Sequence, residues 1–228
     1  MKRIFTAVCL LLLSYSIALG EGNISVIIRY EGIPPKLEPL KVTKDEEFCG
    51  KTVPNESLIV GPNDGIRNAI VYLKGVKGEI KENQFILKNE KCRFFPHVGF
   101  APEGGELLIS NEDNVLHNTH AYIIKEKMRR TALNIGLPHK GDKIINKRVF
   151  MRPGLIKVEC DAHEWMLAWI IVIDHPYAAV TDENGKAEIN NVPDGEHEIV
   201  VFHETLGEYT KKIKVEAGKI TTVEFKIK

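Results

Sequence analysis

What this chain lacks narrows its function before any motif is read. Past residue 20 no apolar run approaches the roughly 20 residues that cross a bilayer as a helix, so no membrane span is expected. Lys and Arg number 31 against 31 Asp and Glu, a balance without the basic excess of a nucleic-acid-binding protein. No nucleophile elbow, no glycine-rich phosphate loop and no carboxylate pair in a hydrolase pattern is present, and an enzyme is not expected. Helical periodicity is almost absent, apart from one short turn near 44–48. Cysteine is scarce, four in 228 residues, which makes each thiol worth accounting for.

Short apolar stretches with turn punctuation fill the remainder. Residues 24–30, 69–74, 84–88, 106–111, 154–159 and 167–173 read as strands, separated by turns such as Ile33-Pro34-Pro35 and Gly61-Pro62-Asn63-Asp64-Gly65. From His175-Pro176 onward the character changes. Asn184-Gly185 signals a hairpin between 178–182 and 186–190, and 197–203, 209–216 and 221–227 continue as strands with Val223, Phe225 and Ile227 on one face. The expected fold class is all-β: a sandwich over 21–173, then a small β domain over 174–228. At about 55 residues the second unit is marginal alone, so it should pack on the first. Because 167–173 runs away from the segment before it, that packing is expected at the far pole.

Residues 1–20 carry Lys2 and Arg3, an apolar core through Leu13 and the small-x-small run Ala18-Leu19-Gly20. This reads as a secretory signal peptide cleaved near Gly20, and implies a periplasmic or secreted protein. Cleavage would remove Cys9 and two positive charges, leaving the net charge two units negative.

The most informative residues are Cys160, His163 and Met166, spaced by three, together with His117-Asn118 upstream. A thiolate, two imidazoles and a thioether form the soft, mixed set that suits copper in an electron-transfer site. A loop between strands 154–159 and 167–173 would present the first three around one point, and Asn118 would hydrogen-bond across to that loop and hold it. The simpler alternative is a structural cluster, since Cys-x-x-His pairs also occur by chance and in zinc sites.

Leu116-His117-Asn118-Thr119-His120 and the Cys-x-x-His-x-x-Met loop at 160–166 resemble the cupredoxins, the amicyanin and plastocyanin group among them. The resemblance implies a Greek-key cupredoxin-like sandwich and one type 1 (blue) copper held by His117, Cys160, His163 and Met166. His120 corresponds to a histidine that is not a ligand. Glu164 departs from the pattern, standing where the related loop has proline. The pattern V-T-D-x-x-G-x-x-x-I-x-x-V-P-x-G in the tail resembles the transthyretin-like sandwich of carboxypeptidase regulatory domains. These resemblances imply single-electron transfer with a redox protein such as a cytochrome or an oxidoreductase. A copper carrier or store, and a metal-free assembly module, stand as alternatives.

Three cysteines remain after cleavage, and an odd number in an oxidising compartment leaves one unpaired. The economical arrangement joins Cys49 to Cys92 and holds Cys160 as a metal thiolate; any bridge through Cys160 would abolish the site. Trp165 is expected in an apolar docking patch around an exposed histidine edge, or in simple packing. The basic stretch from Lys125 to Arg148 would dock an acidic partner or simply face solvent. His175 and His203 with Glu204 would form a second metal site or cap backbone, and His97 is assigned a structural role.

Overall fold

The computed structural model describes residues 20–228. The expected signal peptide therefore lies outside the described residues, Gly20 apart. Strands dominate, and the main α-helical element is the single turn Glu46–Cys49, where the short turn near 44–48 was expected. Among the described residues no helix is long and apolar enough to cross a membrane.

Two β-sandwiches make up the molecule. In the first, a five-stranded sheet in the order Met128–Leu137, His117–Lys125, Gly154–Glu159, Leu167–Ile173, Val98–Pro102 faces a four-stranded sheet in the order Lys143–Asn146, Glu106–Asn111, Gln84–Glu90, Arg93–Phe95. Leu87, Phe94, Leu107, Ile109, Phe150, Ile156 and Val158 fill the space between them. The alternation of Gly154–Glu159 sends Ile156 and Val158 inward, as a period of two requires.

The second sandwich does not follow the expected boundary at 173/174. Lys186–Pro193, Glu21–Tyr30 and Ile220–Ile227 form one of its sheets, and Ala178–Val180, Ile70–Lys74, Gly195–His203 and Gly207–Val215 the other. Residues 21–30 and 70–74, assigned by sequence to the first domain, thus complete the tail. The reason is burial: Ile24, Val26, Ile28, Val71 and Leu73 share one core with Ile199, Val201, Val223, Phe225 and Ile227, and a 55-residue tail has too few strands to bury those faces itself. Strand Glu21–Tyr30 lies parallel to Ile220–Ile227, from Asn23 opposite Ile220 to Tyr30 opposite Ile227. The Asn184-Gly185 turn also differs from expectation. It joins strands of opposite sheets, with Asp182 Oδ1 accepting from the N–H groups of Asn184 (2.8 Å) and Lys186 (2.9 Å). Gly185 sits at φ +70°, and a Cβ there would lie 2.2 Å from the Ile28 carbonyl oxygen, so both conformation and space demand glycine.

The unbroken apolar run Leu167–Ile173 is explained by its position between the two units. Ala168, Ile170 and Val172 enter the first core, whereas Ile171 and Ile173 join Val98 and Ile70 in a separate cluster between the sandwiches. Trp169 packs against Phe202 with ring centroids 5.7 Å apart and donates Nε1–H to Glu204 at 2.9 Å. The second sandwich therefore packs along the face of the five-stranded sheet and not only at its far pole. Glu204 also contacts His97 Nε2, and His97 Nδ1 donates to the Leu167 carbonyl at 3.0 Å, one residue from Met166.

Candidate metal centre

Two loops at one pole of the first sandwich converge. The first is the turn from Asn111 into strand His117–Lys125. Asn111 organises it, accepting from the Asp113 N–H at 2.9 Å and donating to the carbonyls of Val115 and Leu137, each at 2.9 Å. The second joins Gly154–Glu159 to Leu167–Ile173. In it the His163 N–H reaches the Cys160 carbonyl (3.2 Å) and the Met166 N–H reaches the His163 carbonyl (2.9 Å). Two successive turns of this kind bring residues three apart to one side, which accounts for the spacing. Cys160, His163 and Met166 are all buried, while Glu164 is exposed.

Side-chain atoms of His117, Cys160 and His163 that are able to ligate a metal lie within 4.8 Å of one another. The Nδ1 atoms of the two imidazoles stand 3.0 Å apart, and Cys160 Sγ is 3.8 Å from His163 Nδ1. Around one ion with bonds of about 2.0–2.3 Å, ligand atoms stand roughly 3–4 Å from each other, and these separations match. The outer nitrogens are equally well placed. His117 Nε2 donates to Asp113 Oδ2 at 3.0 Å and His163 Nε2 to Asp45 Oδ2 at 2.8 Å. A carboxylate on Nε2 leaves the Nδ1 lone pair directed inward, the usual support of a metal-bound histidine. Two such lone pairs facing each other beside a sulfur repel unless a cation or proton lies between them. The residues present therefore fit a soft metal ion.

Electrostatics agree with this geometry. Burial alone would raise the Cys160 thiol, but the neighbouring His117 and His163 rings and the N–H groups of Asn118 and Ala162 bring it down to about 6. Burial would lower His117, yet Asp113 and Cys160 hold it above the ordinary imidazole value. Asp113, despite its own burial, is held below the usual carboxylate range by His117 and by the N–H groups of Cys92 and Lys91.

Asn118 spans the two loops. Its N–H points to Cys160 Sγ at 3.4 Å, its Oδ1 accepts from the Asp161 N–H, and its Nδ2 donates to Asn134 Oδ1 at 2.6 Å. His120 is outside the cluster, bonded instead to Asp161 at 3.0 Å and Thr131 at 2.9 Å. Cys49 and Cys92 form a disulfide, and Cys160 is free.

One expectation needs correction, and three open alternatives are narrowed. His163 has no exposed edge: its side chain is 0% accessible and Asp45 covers it. Trp165 is half-buried and donates Nε1–H to the Cys92 carbonyl at 3.0 Å, so packing, not docking, accounts for it. His175 Nδ1 accepts from the Tyr177 N–H (3.1 Å) and His203 Nδ1 from the Thr205 N–H (3.3 Å), the capping roles weighed against a second metal site. The basic stretch includes the exposed tip of a hairpin, Lys125 to Arg130, in which Arg129 is already paired with Glu159 at 2.9 Å. Asp113 and Asp45 went unrecognised in sequence. Asp113 lies four residues before His117 and was open to discovery; Asp45, 118 residues from His163, carries no local signal.

No protein-family model and no curated protein sequence matches this chain. Among solved structures, a purple cupredoxin from Nitrosopumilus maritimus aligns at 24% identity and a TM-score of 0.33, over 40% of this chain and 100% of that one. Auracyanin from Roseiflexus castenholzii aligns at 11% identity and 0.33, over 40% and 98%. A copper-containing nitrite reductase from Thermus scotoductus aligns at 15% and 0.32, over 64% of this chain but 28% of its own length.

Proposed function

We propose that this is an exported, periplasmic or secreted, type 1 copper protein that carries single electrons between redox proteins, with His117, Cys160, His163 and Met166 as the ligands. The observation that carries the reading is the inward pair of Nδ1 atoms 3.0 Å apart beside the buried Cys160 sulfur, each imidazole fixed from behind by a carboxylate. When bound, copper supplies the one-electron couple. The chain supplies the rest. Asp113 and Asp45 fix the tautomers, Asn118 holds the cysteine loop to the histidine strand, and the surrounding apolar core excludes water and bulky substrates. Met166 completes the set from the same loop, which favours a carrier over an enzyme with an open coordination position.

Because His163 is covered, the exposed group nearest the thiolate in sequence is Asp161, whose side chain is 50% accessible and touches His120. A cytochrome or oxidoreductase partner would dock on that face. The test is an optical spectrum of the copper-loaded chain. An intense visible band, lost in Cys160→Ser and retained in His120→Ala, supports the reading; a colourless Cu(II) form of the unaltered chain refutes it.

A further inference from the structure

The segment over the centre is held in an unusual way. Leu40 and Lys41 pair with Val53 and Thr52, and the Val42 N–H meets the Lys51 carbonyl at 3.0 Å, forming the base of a flap. Beyond that base, every residue from Thr43 to Lys51 is exposed except Cys49, which is half-buried. Helix Glu46–Cys49 buries none of its residues, and Phe48 is 44% exposed. Packing therefore contributes almost nothing to keeping the flap down. Two ties remain: Asp45 on His163, and the Cys49–Cys92 disulfide. Both end at the metal centre. Cys92 Sγ lies within 4.8 Å of the ligating atoms of Asp113 and His117, its N–H donates to Asp113 at 2.8 Å, and its carbonyl accepts from Trp165.

We propose that Cys49–Cys92 is a thiol-exchange site, a reducible clasp whose substrate is a dithiol reductant and whose opening uncovers His163 and Cys160. For copper itself the inference rests on the metal assignment above; for the flap it does not. Cys92 is fully buried, so approach is at Cys49. A thiolate of the reductant attacks the Cys49 sulfur, the S–S bond breaks, and Cys92 departs as a thiolate that takes a proton. The second thiol of the reductant then closes its own disulfide and releases Cys49. Two electrons and two protons pass to the cysteine pair, and the dithiol is oxidised. With the clasp cut, a single carboxylate–imidazole contact holds an otherwise solvated segment, and such segments open readily.

The experiment compares the oxidised full-length chain with Cys49→Ala/Cys92→Ala. In metal-free protein, alkylation of Cys160 by iodoacetamide, followed by peptide mapping, should be about tenfold faster or more in the variant. Amide exchange in residues 42–51 should rise while that in 195–215 stays unchanged. In Cu(I)-loaded protein, transfer to bicinchoninate should accelerate to a similar degree, and Asp45→Asn with the disulfide intact should move it less. Equal Cys160 alkylation in the two forms would overturn the clasp. If the double variant does not fold, the unaltered chain is reduced with dithiothreitol, freed of reductant and measured in its place. Unfolding of the whole sandwich on that reduction would also overturn the proposal, because the bond would then hold a core and not a flap. Failure of copper to bind would sink the functional reading alone, leaving the alkylation result to decide this one.

Discussion

Histidine is fully buried in both sandwiches, and it does opposite things in them. In the second, His175 and His203 each accept a backbone N–H on Nδ1, and burial, the largest cause in each, holds them below the ordinary imidazole value. In the first, burial would push His117 the same way, but Asp113 and Cys160 reverse it. Burial of a titratable ring is therefore a poor marker of function. What separates the two regions is whether the ring's lone pair is consumed by the chain's own backbone or left facing other lone pairs.

The sharpest way to break this contrast is to remove the sulfur. Cys160→Ser should abolish the visible absorption of the copper form entirely, while double alanine substitution of His175 and His203 should leave the band intact and cost only stability. Loss of colour in the tail variant would show that the two sandwiches are not chemically separate.

Next in size is the Cys49–Cys92 bond. Its removal should lower unfolding free energy by about 2–5 kcal/mol, the usual range for a native disulfide in a secreted domain, and denaturant unfolding of Cys49→Ala/Cys92→Ala beside the unaltered chain would measure it. A loss of that size confined to the first sandwich sharpens the contrast, because the described residues place the disulfide there alone.

Truncation after Asp174 tests the second sandwich directly. Five of its seven strands would go, leaving Glu21–Tyr30 and Ile70–Lys74 with their apolar faces uncovered. Amide exchange should rise throughout 21–30 and 70–74 and the truncated chain should aggregate, unlike a dispensable appendage. Protection of those strands without the tail would restore the boundary at 173/174.

The smallest effects are electrostatic, and their signs differ from group to group. In metal-free protein the thiolate absorbance of Cys160 should titrate with a midpoint of about 6. This folded value lies below that of an unfolded thiol, so the stability it brings is present above the unfolded value and lost as pH falls through about 6. His175 and His203, also depressed, lose their contribution as pH falls below the ordinary imidazole range, because the unfolded chain takes up protons that the folded chain refuses. His97, raised by Glu204 against the opposing effect of burial, acts the other way: its contribution is full in acid and disappears as pH rises through its folded value. Thermal melts of His97→Gln and His203→Gln across pH should diverge in opposite senses.

Much of this was legible in the chain and some was not. The strands at 154–159 and 167–173 were read at their observed bounds because period-two alternation and an apolar run are local signals. The convergence of His117, Cys160 and His163 was legible because ligand type and spacing by three survive without knowledge of the fold. The capture of residues 21–30 by the tail was not, since a strand's periodicity states that one face is buried but not against what. Asp45 was illegible for a related reason: a solvated, charged segment acquires its role only when a distant cysteine draws it across the centre.

The parallel pairing of Glu21–Tyr30 with Ile220–Ile227 has a temporal consequence. The first described strand takes its two partners from Lys186–Pro193 and Ile220–Ile227, the second of them nearly two hundred residues later, so a chain made from its N-terminal side must hold that apolar strand unpaired until residue 186 and beyond have followed. Strands from Gln84 to Ile173 need no such delay, being internal to one stretch of sequence. The half that carries the cysteine–histidine cluster is thus able to assemble first and serve as the surface on which the segments before and after it finally close.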